Sequence, residues 1–424
     1  MSAARIIVFV VLLLCVLGGI NVQVFRWARN AFGLGQKAQR GLKLALVASL
    51  VGMVLGRVAG RFWAGALTAG VVAVSSTAEL AVIISGILLL MVDAVRLLLG
   101  LPGRLREWRA ASQSDVMVTV PAAPMTLAAE SKPVVAEVPR RAFLAQAAAG
   151  SAFLIGSSSS IYGALKGRYD YSLEEVVFKI PNLSRALDGF SIAQLSDVHI
   201  GVFVGEAELR IAEELLRQAK PDLIVLTGDM LDNDARLAPQ LARFVRRLSP
   251  LARAGVLAIS GNHDYFAGVE AMAAAVTAGG ARMLRNDALV VGGAGAGFAL
   301  LGVDDVYARR EGGGPDLERA VRALPRLDGR VAPALDLPRL LLCHNPSFFA
   351  ESAGQVALQL SGHTHGGQVN LGLRPADYLL PGGWVAGRYD EHGSVLYVNR
   401  GFGTVGPPAR IGAPPEVTRI VLSS

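Results

Sequence analysis

Charged residues, cysteines and histidines are all scarce in this sequence. Asp, Glu, Lys and Arg make up 18% of the 424 residues, whereas apolar residues make up 52%, and the mean hydropathy is +0.43. This balance excludes an ordinary soluble enzyme and indicates a membrane-embedded part. The net charge is +7, but many basic residues flank apolar runs near the N-terminus, where they set membrane orientation. The sequence contains no basic-aromatic tract typical of nucleic-acid binding, so no nucleic-acid partner is expected.

The sequence has two cysteines. Cys15 lies in an apolar run and Cys343 lies beside His344, so a disulfide between them is not expected and the redox compartment stays open. A small apolar residue suits a buried strand, and we therefore interpret Cys343 as structural rather than as a nucleophile.

Residues 1–101 are predicted to form a transmembrane helical region. The runs 6–24, 44–59 and 78–99 are long and apolar enough to cross a bilayer, although a cleaved signal peptide competes for the first. The short run 62–75 is interpreted as a re-entrant or interfacial piece. Gly52, Gly56 and Gly60 have the spacing of closely packed helices, a pattern that Ala-rich composition alone also produces.

Residues 102–139 read as an Ala/Pro-rich linker, and 140–165 as either a twin-arginine-like export signal or a further span, because Arg140-Arg141 precedes a weakly apolar stretch. The basic loops 26–43 and 102–141 are predicted to face the cytoplasm. An even number of spans then lies between them. One more crossing carries the remainder, 171–424, to the extracytoplasmic side of a bacterial inner membrane, as part of a multi-pass protein.

From Tyr171 onward, short apolar runs alternate with amphipathic helical patterns, which predicts parallel strands early in the domain; from Ala288 the strands look more antiparallel. Five of these runs end in polar residues able to bind metals. Five of the six histidines lie there, and His392 alone lies elsewhere. The five stretches are Asp197-Val198-His199, Gly228-Asp229, Gly261-Asn262-His263-Asp264, His344-Asn345 and Gly362-His363-Thr364-His365.

This ordered set resembles the signature of the calcineurin-like metallophosphoesterase family. The tail from Asn399-Arg400-Gly401-Phe402-Gly403-Thr404 to Pro414-Pro415-Glu416 resembles that of a membrane-associated bacterial branch of the family. The resemblance covers the chain from about Tyr171. It implies an α/β fold: a four-layer α/β sandwich, with two mixed β-sheets flanked by helices, that follows the N-terminal transmembrane helices. It also implies two divalent metal ions, with Mn, Fe and Zn all suited to a mixed nitrogen and oxygen ligand shell. A single-metal site stays open.

The resemblance assigns roles residue by residue. The first metal would be bound by Asp197, His199 and His365, the second by Asn262, His344 and His363, with Asp229 bridging. His263 would face the phosphate as a catalytic residue. Asp264 would either orient His263 or cap the following helix. Gly366 and Gly367 would permit close approach to metal or substrate, and Arg400 would touch phosphate or form a structural salt bridge.

The predicted function is a membrane-anchored, metal-dependent phosphoesterase that uses activated water on phosphodiesters or on lipid-linked phosphates or pyrophosphates. A nuclease or nucleotide phosphodiesterase, and a non-catalytic metal-binding scaffold, are the alternatives. The loop 371–389, with Leu379, Leu380 and Trp384, is either a lipid-facing lip or buried, and burial is the preferred interpretation.

Overall fold

The computed structural model describes residues 3–60, 65–111, 139–293, 296–324 and 337–424. These residues divide into two compact units. One unit comprises Gly52–Thr77 and Ser160–Ser424, and the other comprises Ser2–Val51 and Ala78–Ser159. The predicted linker lies mostly outside the described residues. Its first part is helical as far as Ala111, so the linker boundary at residue 102 is wrong.

Four long helices dominate the N-terminal part of the described chain. They are α1 (Ala3–Phe32), α2 (Gln36–Gly60), α3 (Ala66–Ala111) and α4 (Arg140–Leu165). Within the described residues, three segments are long and apolar enough to cross a membrane: Val10–Phe32, Gln36–Gly60 and Ala66–Leu99. The interpretation of 62–75 as a separate piece is wrong from Ala66 onward, because those residues begin α3. The Thr77 hydroxyl donates back to the Ala73 carbonyl (2.7 Å), so the Ser-Ser-Thr stretch continues the helix.

The helical unit buries one carboxylate that sequence reasoning overlooked. Glu79 is fully buried, and its two oxygens accept hydrogen bonds from the Asn21 amide and the Ser49 hydroxyl, both at 2.7 Å. A buried carboxylate needs such donors because burial without them costs several kcal/mol. Asp93, by contrast, is half-exposed and accepts from the Trp27 indole at 2.9 Å.

Two of the three regularly spaced glycines of α2 mediate close helix packing. A Cβ atom on Gly52 would lie 2.3 Å from the Ser75 hydroxyl, and one on Gly56 would lie 2.8 Å from a Val72 methyl group. A side chain at either position requires the facing α3 side chain to shift. At Gly60 a Cβ atom would meet only ordinary contacts, at 3.7 Å.

The larger unit contains two six-stranded sheets within the described residues. The first sheet has the order β1-β12-β2-β3-β4-β5 and the second β10-β11-β9-β8-β7-β6. The strands are β1 (Ser172–Lys179), β2 (Ser191–Leu195), β3 (Leu223–Thr227), β4 (Val256–Ile259), β5 (Arg282–Met283), β6 (Asp287–Gly293), β7 (Ala296–Gly302), β8 (Arg339–Leu342), β9 (Leu358–Ser361), β10 (Gly387–Glu391), β11 (Ser394–Val398) and β12 (Glu416–Ser423).

Strand directions follow the prediction in the first sheet and depart from it in the second. Strands β2 to β5 are parallel neighbours, as expected. In the second sheet only the two outer pairs, β6–β7 and β10–β11, are antiparallel, whereas β7, β8, β9 and β11 pair in parallel. The expectation of an antiparallel second half is therefore wrong. Short helices connect these strands, and the Gly-rich pattern did not reveal them.

Helices cover both outer faces of the paired sheets. They are α5 (Glu206–Ala219), α6 (Ala238–Leu248), α7 (Asn262–Ala267), α8 (Val269–Ala278), α9 (Leu317–Arg322), α10 (Phe349–Ser352) and α11 (Ala376–Leu379). The core between the sheets includes Ile192, Val225, Phe298 and Leu342. A second core packs α5, α6 and α8 on the first sheet, and a third packs α9 on the second. This is the four-layer α/β sandwich.

Candidate metal centre

The carboxyl ends of five strands deliver the predicted ligands. Strands β2, β3 and β4 are parallel neighbours in the first sheet, and β8 and β9 are parallel neighbours in the second. Because parallel strands end at one edge of a sheet, the two sheets bring their loops together. In the first sheet, β2 is followed by Asp197 and His199, β3 by Asp229 and β4 by Asn262. In the second sheet, β8 is followed by His344, and β9 by His363 and His365.

The ligand-bearing loops hold an unusual backbone conformation. Asp197, His199, Asp229, His363 and His365 all have left-handed φ values between 51° and 74°. Non-glycine residues adopt this region at a cost, so the surrounding structure must impose it. Such strain concentrates at functional sites.

One cluster brings together two imidazoles and two carboxylates. The Nε2 atoms of His199 and His365 are 3.1 Å apart. His365 Nε2 lies 3.5 Å from Asp197 Oδ1, and His199 Nε2 lies 3.6 Å from Asp229 Oδ2. All four side chains are buried. Their ligand atoms face a common point.

A second cluster groups Asp229 with His344 and His363. His344 Nε2 is 3.2 Å from Asp229 Oδ2 but lacks a hydrogen-bond partner of acceptable geometry. The Nδ1 atom of His363 and the Oδ1 atom of Asn262 are also buried without a partner. The Nδ1 atom of His344 instead lies 2.9 Å from the Thr227 carbonyl, which leaves the Nε2 lone pair free.

These separations fit metal ions. Nitrogen and oxygen ligands lie about 2.0–2.2 Å from a bound Zn²⁺, so two ligands of one ion are roughly 3.0–3.5 Å apart. The measured distances of 3.1, 3.2, 3.5 and 3.6 Å match this spacing. Unpartnered buried lone pairs on His344, His363 and Asn262 supply the physical demand for a cation.

Protonation also suits metal binding at two of the histidines. Burial lowers the pKa of His363 to about 3 and, together with the charge of Arg410, lowers the pKa of His365 well below its usual value. For His344 burial again lowers the pKa, but the adjacent Asp229 carboxylate outweighs it and raises the pKa in the metal-free protein. Neutral imidazoles at 363 and 365 are ready to donate a lone pair.

His263 lies next to the clusters rather than inside either one. Its Nδ1 atom is 2.8 Å from the Asp232 carbonyl and 3.3 Å from Asp232 Oδ1, and its backbone amide donates to Asp229 at 2.7 Å. Burial lowers the pKa of His263, but Asp232 and Asp229 outweigh burial and raise it to about 9. The ring therefore carries a proton at neutral pH in the metal-free protein.

Asp232 is a site residue that sequence reasoning missed. Besides contacting His263, its Oδ1 atom lies 3.7 Å from His199 Nδ1, and the three residues form a further group of close potential ligands. Asp232 follows Asp229 by three positions in an unremarkable loop, so only the polar run Asp232-Asn233-Asp234 signalled it.

Asp264 caps a helix and does not orient His263. Its Oδ1 atom accepts from the Leu231 amide (3.0 Å) and its Oδ2 atom from the Gly261 amide (2.9 Å), at the start of α7. Burial and the charge of Asp229 raise the pKa of Asp264 to about 7. Asp264 therefore fixes the loop that carries Asn262.

Arg400 forms the structural salt bridge of the two alternatives. Its guanidinium lies 2.7 Å from Glu174 and 2.6 Å from Glu416. Gly366, with φ +60°, packs against it, since a Cβ atom there would lie 3.0 Å from Arg400 Cγ. Gly367 has φ +80° and abuts Asn370 in the same way, at 2.8 Å. Both glycines serve close backbone packing beside His365.

The arginine that touches a predicted ligand is Arg410, which the sequence did not identify. Its guanidinium is fully buried and lies 3.0 Å from His365 Nδ1. It also donates to the carbonyls of Gly401 (3.0 Å) and Ala413 (3.2 Å). Arg410 therefore fixes the orientation of the His365 ring.

Two further sequence interpretations have definite outcomes. Cys343 is fully buried, and burial raises the pKa of its thiol well above the usual value, so it is no nucleophile. In the loop 371–389, Trp384 is buried, but Leu379 is 79% exposed and Leu380 is 36% exposed. Burial of the whole loop was therefore a wrong prediction, and its tip presents apolar side chains to the outside.

The chain is similar in sequence to known metallophosphoesterases. Residues 190–367 match the sequence profile of the family described as calcineurin-like phosphoesterase. The uncharacterized metallophosphoesterase YkuE of Bacillus subtilis is 34% identical over 260 residues, which covers 59% of this chain and 85% of the relative.

The chain belongs to the calcineurin-like phosphoesterases.

It is accordingly a metal-dependent phosphoester hydrolase, from a family that uses a dinuclear divalent metal centre. A transmembrane protein with metallophosphoesterase domain from Danio rerio is 30% identical over 285 residues, which covers 64% of this chain and 62% of that protein. An uncharacterized metallophosphoesterase of Aquifex aeolicus is 26% identical over 268 residues, covering 60% of this chain and 92% of the relative. Membrane association of the calcineurin-like phosphoesterase fits the three apolar helices.

Proposed function

We propose that this protein is a membrane-anchored phosphoesterase with a dinuclear metal centre that hydrolyses phosphodiesters or lipid-linked phosphates and pyrophosphates. The single observation that carries the proposal is that two buried ligand sets meet at the Oδ2 atom of Asp229, 3.6 Å from His199 Nε2 and 3.2 Å from His344 Nε2. The first ion would be held by Asp197, His199 and His365, the second by Asn262, His344 and His363, and both by Asp229.

The bound ions would neutralise charge on the phosphoryl oxygens and activate a water molecule. The protein residues have separate tasks. Asp229 supplies the negative charge shared by both ligand sets. His263, held by the Asp232 carbonyl, stands beside the sets with a proton to donate to the leaving oxygen. Arg410 holds the His365 ring in place. The mixed nitrogen and oxygen donors suit Mn, Fe or Zn.

The catalytic domain is proposed to lie outside the cytoplasm. Support comes from the end of α2 and the start of α3, which belong to the same compact unit as the catalytic domain. A Cβ atom on Gly60, at the end of α2, would lie 3.7 Å from Val202 of the domain. If the basic residues 26–43 are cytoplasmic, α2 carries its own end and the adjoining domain to the other face of a bacterial inner membrane.

The activity is tested with the full chain in detergent, freed of metal and reloaded with Mn, Fe or Zn. The substrates are small phosphomonoesters, phosphodiesters, phospholipids and nucleotide-sugar lipids. We expect metal-dependent hydrolysis of phosphodiester or lipid-linked substrates. Hydrolysis of single-stranded nucleic acid with steep salt dependence would indicate a nuclease instead. Metal binding without hydrolysis of any substrate would indicate a scaffold.

The topology is tested with a membrane-impermeant thiol reagent on cells with a permeable outer layer. The background variant Cys15→Ala removes the exposed native thiol, and Cys343 is buried. Arg253, whose side chain is 77% exposed, is replaced by Cys as the reporter for the domain. We expect Arg253→Cys to react in intact cells and Lys37→Cys to react only after lysis. The reverse pattern would put the domain in the cytoplasm.

A further inference from the structure

A cavity of about 330 Å³ opens beside His263, outside both ligand clusters. Its walls come from the catalytic domain, from the end of α2 and from the start of α3, all within one compact unit. The lining includes Arg57, Ala69 and Val72 from the helices and Val202, Asp232 and His263 from the domain. Ligand pockets generally measure about 300–1,000 Å³, so the cavity is large enough for part of a substrate.

The lining of this cavity combines charged and apolar side chains. His263, whose backbone amide donates to the candidate ligand Asp229, and Asp232 supply titratable groups. Ala69 of α3 and Val202 of the domain supply apolar surface, and Val202 is 39% exposed. A ligand that fills the cavity therefore combines a charged group at the metal centre with an apolar part along the helices.

Among the described residues that line this cavity, Arg57 is the only lysine or arginine. Arg57 lies in the last turn of α2, and the negative charge of Asp232 attracts its guanidinium. A guanidinium presents paired N–H groups that match two phosphoryl oxygens. An arginine at the end of a membrane-spanning helix also has a plainer role, which is to interact with the free carbonyls of that helix end.

We propose that the end of α2 and the start of α3 complete the active site: Arg57 binds the phosphoryl oxygens of an amphiphilic phosphoester, and the alkyl chain of that phosphoester lies against Ala69 and Val202. The inference rests on the proposed phosphoesterase function and selects the lipid-like substrate class within it. The membrane helices then contribute to specificity as well as to anchoring.

Two phosphodiesters with one leaving group test the apolar wall: 4-nitrophenyl methyl phosphate and 4-nitrophenyl hexadecyl phosphate, assayed with the full chain in mixed micelles. We expect the wild type to have the higher kcat/KM for the hexadecyl ester. Ala69→Phe fills the cavity and should lower the hexadecyl-to-methyl ratio of kcat/KM about tenfold. The matched control is Gly70→Phe, because Gly70 is the next residue of α3 and a Cβ atom there meets nothing within 4 Å.

Arg57 is tested by two substitutions. Arg57→Ala should raise KM for the hexadecyl ester about 10- to 100-fold, as expected for loss of a charge-assisted hydrogen bond. Arg57→Lys keeps the charge at the helix end but loses the paired donors. Compared with Arg57→Ala, Arg57→Lys should restore thermal stability but return KM only part of the way to the wild-type value. Full restoration of KM by Lys would assign Arg57 to the helix end and overturn its phosphate role. Arg40→Ala, in the first part of α2, is the control for loss of a basic residue.

The outcomes separate this inference from the function on which it rests. If the wild type hydrolyses neither ester with any of the three metals, the proposed function fails. If it hydrolyses both esters with equal kcat/KM, or if Ala69→Phe and Gly70→Phe give the same ratio, the phosphoesterase stands and the cavity assignment falls. Metal content and thermal unfolding of each variant identify substitutions that merely disrupt folding.

Discussion

A single methyl group added at Gly362 should inactivate the enzyme. A Cβ atom built on Gly362 lies 1.9 Å from Ser196 Oγ and 2.2 Å from Asp197 Oδ2, whereas ordinary contacts begin at 3.4 Å. The Asp197 carboxylate must therefore move by more than 1 Å. It cannot move without cost, because both its oxygens accept from the His363 amide at 2.9 and 3.0 Å.

The expected loss follows from this displacement. A misplacement of about 1 Å in a catalytic group costs on the order of 100-fold in rate, which corresponds to about 2.7 kcal/mol of transition-state stabilisation. Gly362 does not have a positive φ, so alanine is permitted by the backbone and the clash alone is tested. We expect Gly362→Ala to lose at least about 100-fold in kcat/KM and to bind the first metal more weakly.

The assay compares Gly362→Ala with Gly313→Ala. A Cβ atom on Gly313 has its nearest neighbours at 3.7 and 3.8 Å, and its φ is also unremarkable. The measurements are kcat/KM on bis(4-nitrophenyl) phosphate, metal content and thermal unfolding. A Gly362→Ala protein with two metal equivalents and a near-normal rate would refute the placement of Asp197 as a ligand against Gly362.

Three further substitutions test the roles of single residues. Asp229→Asn keeps the side-chain shape, and asparagine suits the left-handed φ of 53° at this position. It should lower turnover by at least about 10³-fold and weaken metal binding, because the shared charge is lost. Full metal content with normal turnover would contradict the shared-ligand role. His263→Ala should keep its metals and lose about 10²- to 10⁴-fold in kcat, and loss of a metal equivalent would show that His263 is a ligand. Arg410→Met removes the guanidinium that donates to the carbonyls of Gly401 and Ala413. The Arg410→Met substitution should lower the free energy of unfolding by about 3–5 kcal/mol, measured by denaturant titration. It should also lower metal affinity by about 10- to 100-fold, measured by metal titration. Unchanged metal affinity would mean that Arg410 only supports the fold.

The sequence predicted which candidate ligands cluster, but it did not predict the residues that contact them. Asp197, Asp229 and His344 follow apolar strands directly, so their clustering follows from strand order alone. Asp232 and Arg410 lie in irregular loops, where no periodicity relates sequence position to location. Their contacts with His263 and His365 arise only after the loops of both sheets have packed.

The remaining errors concern context that local patterns do not record. From its position in the sequence, Asp264 could either cap a helix or orient His263. Its carboxylate accepts hydrogen bonds from the Gly261 and Leu231 amides, so it is a cap. Residues 66–75 looked too short for a span because Ser75-Ser76-Thr77 reads as a break in the apolar run. In α3 the Thr77 hydroxyl bonds back to the helix and the run continues.

Strand β12 gives the catalytic domain a late closing step. It lies between β1 and β2, and it pairs residues as far apart in the chain as Glu175 and Arg419, 244 positions from each other. A ribosome therefore releases β1 long before its neighbour exists, and the first sheet stays open along that edge until nearly the whole domain has been synthesised. During that interval the exposed edge of β1 is open to mispairing with other chains. The Asp197 loop, which follows β2, gains its permanent support only when β12 inserts. We therefore expect the Asp197 loop to reach its final geometry only after β12 has been synthesised.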